Sequence, residues 1–229
     1  MSSRQDSIEA LLDKAGNQIR DLEGKYKKSL HVQSIEPALL VEIKNTCENL
    51  RSVLDYLAAD IRERYCPKAL PKDHFYFPIL PDRKTFDSRM NQWFPGLNKA
   101  ASSVIAVLEA VQPYYPGYEW LGQFNRVNNE NKHGDLVEQT RVETPETKVT
   151  GHGGQVSWRS GVTFGRGVYV MGVPIDPRSQ LPVPDPSIKV ERTIWVDFLF
   201  ADIGVSALGL LKQALAGIAS IVEDILKLL

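Results

Sequence analysis

A chain of 229 residues with 43% hydrophobic and 24% charged side chains can bury a core of its own without disulfide or metal staples. Its 27 basic and 28 acidic residues leave a formal net charge of −1, and residues 1–66 already balance at 10 basic against 11 acidic. That mixing excludes a broadly basic domain of the kind that coats nucleic acid through its phosphates, although it leaves room for a local pocket.

The first predicted helix covers about residues 5–30, where Ile8, Leu11, Leu12, Ala15, Ile19, Leu22 and Tyr26 recur at three and four. Only one side is apolar, which places it on the outside of a bundle. The second begins near Ser34, read as an N-cap, with Pro37 in the first turn, and runs to about Tyr65. Leu39, Leu40, Ile43, Cys47, Leu50, Leu54, Leu57, Ala58 and Ile61 form its stripe, and Pro67 and Pro71 end it. Cys47 and Cys66 are the only cysteines. On one helix they stand roughly 28 Å apart at about 1.5 Å per residue, beyond disulfide reach. Two unpaired thiols fit a reducing cytoplasm, and the polar start "MSSRQDSIEALLDK" reads as no secretory signal.

Residues 67–96 read as one long connection whose Phe75, Tyr76, Phe77, Trp93 and Phe94 pack it onto the bundle. A third helix is predicted over 97–111, closed by "QPYYPG", and a fourth from about Tyr118 to His133 with Gly134 just past its end. From Val137 the period changes to two. "KVTGHGGQVSW" reads as a hairpin, "GVTFGRGVYVMGV" as a second hairpin around Gly165–Gly167, and "PIDPRSQLPVPDP" as a loop. Ile188, Val190, Ile194, Val196, Phe198 and Phe200 then share one parity of a strand, interrupted by Arg192. A last helix over 203–228 is apolar around more than half its circumference, so it is either central to the bundle or buried between subunits. Asp202, Lys212, Gln213, Glu223, Asp224 and Lys227 interrupt the apolar C-terminal stretch and argue against a membrane span. The expected fold is α+β in one domain. An antiparallel helical bundle (residues 1–136) carries a small antiparallel β-meander (137–200) inserted before a C-terminal helix (201–229) that rejoins it.

The candidate chemistry lies in "RVNNENKHG", residues 126–134. At about 100° per residue, Arg126 and His133 fall about 20° apart on one polar stripe, with Asn129 and Glu130 beside them. Trp120, Leu121, Phe124 and Val127 take the opposite half. A neutral histidine can take the proton of a ribose 2′-hydroxyl while an arginine holds the phosphate, chemistry that needs no metal. An arginine followed by a histidine at this spacing on an inner helix resembles the pattern of the HEPN ribonuclease superfamily, compact helical bundles that often dimerise. The resemblance implies a metal-independent endoribonuclease with Arg126 on the phosphate and His133 as acid/base, in a homodimer whose cleft takes RNA. Six residues separate the pair here, and Val127 stands where the family usually carries a polar residue. "NLRSVLDYLA", "QPYYPG" and "NENKH" together also look like a group of bacterial proteins that brings no known activity.

A plainer reading stands beside it. Lys132 and His133 in a last turn meet the negative end of the helix dipole, and Gly134 closes the turn. Asn128 and Asn131 point towards the apolar half and need buried partners. Arg51 and Asp55, one turn apart on the second helix with Asn49 nearby, can supply them, giving a polar junction that includes Asn131 and Arg51 or Asp55. His31, His74 and His152 stand alone, and no metal-ligand spacing or nucleophile motif appears, so neither cofactor nor metal is expected. "GHGGQ" and "FGRGVY" read as turns, and Arg159 and Arg166 as arginines near strand ends that can alternatively hold phosphate. The rival to the nuclease is a non-catalytic protein that binds a partner, or itself, through the sheet or the last helix.

Overall fold

The computed structural model describes residues 3–29, 36–69, 74–133, 136–137 and 139–229. The protein is α+β, a helical bundle with antiparallel strands inserted before the C-terminal helix. It divides into two compact units, residues 1–140 with 199–229, and residues 141–198.

In the first unit, α1 (Ser3–Ser29) and α2 (Pro37–Tyr65) pack together along their length. Ile8, Ala15, Ile19, Leu22 and Tyr26 are the buried stripe of α1, at the spacing that brings every third or fourth side chain to one face. Helix α2 starts with Pro37 at its first position behind Glu36, whose side chain makes no capping bond. The expected cap, Ser34, lies outside the described residues. Thr46, Arg51, Val53 and Arg62 are buried along with the expected stripe, of which only Leu40 is half-buried. Helix α2 therefore contacts α1 on one side and three further helices on the others.

Residues 67–96 are not one irregular connection. Helix α3 (Arg83–Trp93) lies within them, and Asp82 caps it by accepting from the Thr85 amide at 2.8 Å and the Thr85 hydroxyl at 2.9 Å. Only Phe86 and Met90 of α3 are buried, too few apolar positions for the helical period to register. The predicted 97–111 helix is split into α4 (Leu97–Ala100) and α5 (Ser102–Ala110) at Ala101 (φ −153°, ψ 73°). Two serines, poor interior helix formers, follow the break. Helix α6 (Glu119–His133) is unbroken. Helix α7 (Ala207–Leu226) starts at Ser206, whose hydroxyl accepts from the Gly209 amide at 3.0 Å. Its Leu210, Leu211, Ala214, Ile218, Ile221 and Ile225 are buried, and it contacts α1, α2, α5 and α6. Of the two explanations for its apolarity, the bundle centre is the one found.

The strands are β1 (Gln139–Gly151), β2 (Gly154–Arg159), β3 (Tyr169–Val170), β4 (Val173–Asp176), β5 (Leu181–Pro182), β6 (Lys189–Phe200) and β7 (Val205–Ser206). They form a four-stranded sheet in the order β2-β1-β6-β7 and a three-stranded sheet in the order β3-β4-β5. The β1–β2 hairpin has the expected turn, with Gly151 opposite Gly154. The second hairpin turns at Met171 (φ 50°) and Gly172 (φ 79°), not at Gly165–Gly167. Two successive positive φ angles make the tight turn whose twist matches paired strands. The proline-rich stretch is not only loop, because β4 and β5 pair within it. On β6 the expected inward parity holds at Phe198 and Phe200, but Val190 and Ile194 are 39% and 61% exposed. The second unit has its own core of Val149, Val170 and Ile175, flanked by Trp158, Phe164, Met171 and Ile188.

Candidate functional site

Helix α6 presents Trp120, Leu121, Phe124 and Val127 to the core, all 5% exposed or less. Asn128 and Asn131 are buried with them, as the helical wheel requires. Asn125 and Asn129 come next around the helix, one turn apart. Arg126 lies further round and is 54% exposed. It forms ion pairs with Glu130 at 3.1 Å and with Asp202 at 3.1 Å. The helix carries the backbone as far as His133, but the side chains of Lys132 and His133 lie outside the described residues, as does Gly134.

The buried polar junction exists with different members. Arg51 is 7% exposed. Its Nε donates to Asp55 Oδ2 at 3.1 Å, its Nη1 to Asn125 Oδ1 at 3.1 Å and its Nη2 to the Phe77 carbonyl at 3.3 Å. Asp55 in turn accepts from the Phe77 amide at 3.0 Å. Asn131 is not part of this network; its Oδ1 accepts from the Val137 amide at 3.1 Å. The reason is angular: Asn131 lies six residues, about 240°, round the helix from Asn125. Both amide atoms of Asn128 and the Nδ2 of Asn131 have no hydrogen-bond partner among the described residues.

Arg51 and Asp55 thus hold an extended strap, residues 74–80, by its backbone. Gln112, fully buried, holds the other end: its Nε2 donates to the Pro78 carbonyl at 2.8 Å and its Oε1 accepts from the Leu80 amide at 2.9 Å. Side chains here satisfy backbone groups that a neighbouring strand would otherwise satisfy. Arg62 lies over the Phe75 ring at 4.4 Å and Arg51 over the Tyr76 ring at 5.9 Å. Tyr76 meets Trp93 of α3 edge to face, with ring centroids 6.1 Å apart.

A cleft of about 490 Å³ opens between the strap, α3 and α6. Arg51, Phe77 and Ile79 line it with the Tyr76 and Trp93 rings and the Asn125 and Asn129 amides. Of the residues singled out in the sequence, it brings together Arg51 and Asn129. Asp55 stands behind Arg51, while Arg126, Asn128 and Asn131 are not in the lining. Sequence reasoning missed Asn125, Gln112, Tyr76 and Trp93 as site residues. Asn125 was findable, being one turn before Asn129 on the same flank; the strap residues carried no periodic signal. The cleft's guanidinium is neutralised by Asp55, and its lining holds amides, aromatic rings and no nucleophile or carboxylate. Among the described residues no group of three histidine, cysteine or acidic side chains is placed to hold a metal. No described helix is long and apolar enough to cross a membrane.

Cys47 and Cys66 are both buried and free. Burial pushes the Cys47 thiol from 9.0 up to about 12, so it has no nucleophilic character at neutral pH. No family model, curated protein or solved structure compared with the chain matches it.

Proposed function

We propose that the protein is a binding protein whose ligand site is the cleft above Arg51. The observation that carries this reading is the immobilised guanidinium, fixed on three sides beneath an aromatic rim. Such pre-organisation lowers the ordering cost of binding. Beside the guanidinium, which Asp55 already pairs, the polar groups that face the cleft are the uncharged Asn125 and Asn129 amides, and the Tyr76 and Trp93 rings form its flat walls, which suits a planar, uncharged, polar molecule. Titration with nicotinamide, uridine and adenosine, followed by calorimetry, tests it. Saturable binding of at least one, weakened about tenfold by Tyr76→Ala and by Asn129→Ala, supports the reading. Absence of binding to all three by the folded protein overturns it for this ligand class.

Metal-independent RNA cleavage by a homodimer is the second reading, and one observation favours it. Helix α6 is continuous from Glu119 to His133, so Arg126 and position 133 keep their two-turn spacing. Two carboxylates on Arg126 weigh against it, because a phosphate has to displace them. Incubation of mixed RNA in EDTA with the protein and its Arg126→Ala and His133→Ala variants decides. Cleavage abolished in both variants would replace the binding reading with the nuclease. Equal cleavage by all three marks a contaminant, and none by any removes the nuclease. Self-association loses the apolar face of α7, which is used inside the bundle, and is left with the exposed Val156, Val162, Tyr169, Val183, Val190 and Ile194.

A further inference from the structure

The strand-rich unit holds a second recess that neither reading uses. It measures about 220 Å³. Two arginines that stand out in the sequence meet there: Arg159 at the end of β2, and Arg192, the residue that interrupts the apolar parity of β6. Arg192 interrupts an alternation that is otherwise apolar at 188, 190, 194 and 196. It lines the recess.

The recess has firm walls. Trp158 lines it and is fixed edge to face against Phe164, centroids 5.1 Å apart. Gln180, opposite, has a φ of +58°, a left-handed conformation that a non-glycine residue adopts at a cost. Its side chain secures that geometry: Oε1 accepts from the Phe164 amide at 2.6 Å, and Nε2 donates to the Phe164 carbonyl at 3.2 Å and the Pro177 carbonyl at 2.6 Å. Strain held in place by three hydrogen bonds, beside a recess, is the pattern of a site kept in shape.

The charge of the lining has one sign. Arg159 and Arg192 are its ionised groups, Ser160 and Ser179 add hydroxyls, and no carboxylate lines it. Glu146, opposite Arg159 in the β1–β2 ladder, stands 3.9 Å from Arg159 Nε outside the lining, and Arg159 is 62% exposed. We propose that this recess binds a small organic anion, with a carboxylate or phosphate held by Arg159 and Arg192 and an apolar or aromatic body against Trp158. Its volume lies below the roughly 300–1,000 Å³ of drug-sized sites, so the ligand is small. Exposed guanidinium groups make the affinity salt-dependent.

The test uses the full chain with benzoate, phenyl phosphate and inorganic phosphate, and with uncharged benzamide as control, by calorimetry at low ionic strength. Arg192→Val continues the strand's own alternation, so it leaves the circular dichroism and melting curve unchanged; Arg159→Gln keeps the hydrogen-bonding reach. The expected result is saturable binding of benzoate or phenyl phosphate, weakened about tenfold by either substitution. Trp158→Leu is expected to weaken the two aryl anions and leave inorganic phosphate unaffected, which separates the anion contact from the stacking contact. Benzamide binding as well as benzoate, indifference to both arginine substitutions, or no saturable anion binding would each overturn the proposal. Because the recess lies in the 141–198 unit, its failure is independent of the Arg51 cleft.

Discussion

Arg51 does three jobs at once, and its loss is the most informative single change. Arg51→Ala leaves Asp55 without its cation, Asn125 Oδ1 without a donor and the Phe77 carbonyl unpaired. Breaking such a pair costs about 3 kcal/mol, to be read from urea unfolding. Arg51→Lys is expected to recover little, since an ammonium cannot reach three acceptors as a planar fork does. Asn128 predicts the opposite sign. Its amide is buried without partners among the described residues, so Asn128→Leu is expected to be neutral or to stabilise by about 1 kcal/mol. Asn131→Ala removes the acceptor of the Val137 amide and is expected to destabilise by about 1 kcal/mol in the same assay. The Cys47 thiol gives a pH signature. Its folded pKa is raised from 9.0 to about 12, so the stability it contributes is complete below pH 9 and is lost as pH rises towards 12. A thiol reagent at pH 8 should leave Cys47 unlabelled until the protein is unfolded.

At the scale of elements, two helices are set by contacts that hydrophobic periodicity does not display. Gly217 of α7 lies beneath Trp120 of α6, where an added methyl would fall on the indole Cζ2 and Cη2. Gly217→Ala is therefore expected to destabilise by about 2 kcal/mol despite alanine's better helix propensity, as overpacking outweighs about 1 kcal/mol of propensity. A lower melting temperature with unchanged helical content is the expected observation. Helix α3 depends on Asp82. Its bonds from the Thr85 amide and hydroxyl hold the carboxyl below the usual carboxylate range. A depressed pKa contributes stability above the ordinary value of about 3.9 and loses it as pH falls through the folded value. Asp82→Ala should lower the melting temperature at pH 7, and the difference from the parent should vanish in acid. The β6 arginine and the strap belong to this scale too. Each interrupts a local pattern, and each interruption marks a cleft.

At the scale of the whole molecule, the two units have separate cores, one built on α2 and α7 and the other on Val149, Val170 and Ile175. Replacing residues 142–197 by a short glycine–serine linker should leave a chain that keeps helical circular dichroism and a cooperative melt. The linker joins β1 to β6, which are neighbours in one sheet, where neighbouring strands run about 5 Å apart. Collapse of the helical signal would mean that the bundle needs the strand-rich unit to fold.

Hydrophobic period alone determined the long helices α1, α2, α6 and α7, the fold class and the burial of Asn128 and Asn131, because in a helix the spacing of apolar side chains dictates which face is covered. It could not determine α3, which buries only Phe86 and Met90, or the exposure of Ile194, since a strand's parity says which residues share a side but not whether anything covers it. The partner of Arg51 was likewise decided only in three dimensions. The sequence pointed to Asn131, and 74 residues of chain separate Arg51 from the asparagine it meets, Asn125. Which side chains meet across such a distance depends on how whole helices pack, and packing is a property of all the faces together.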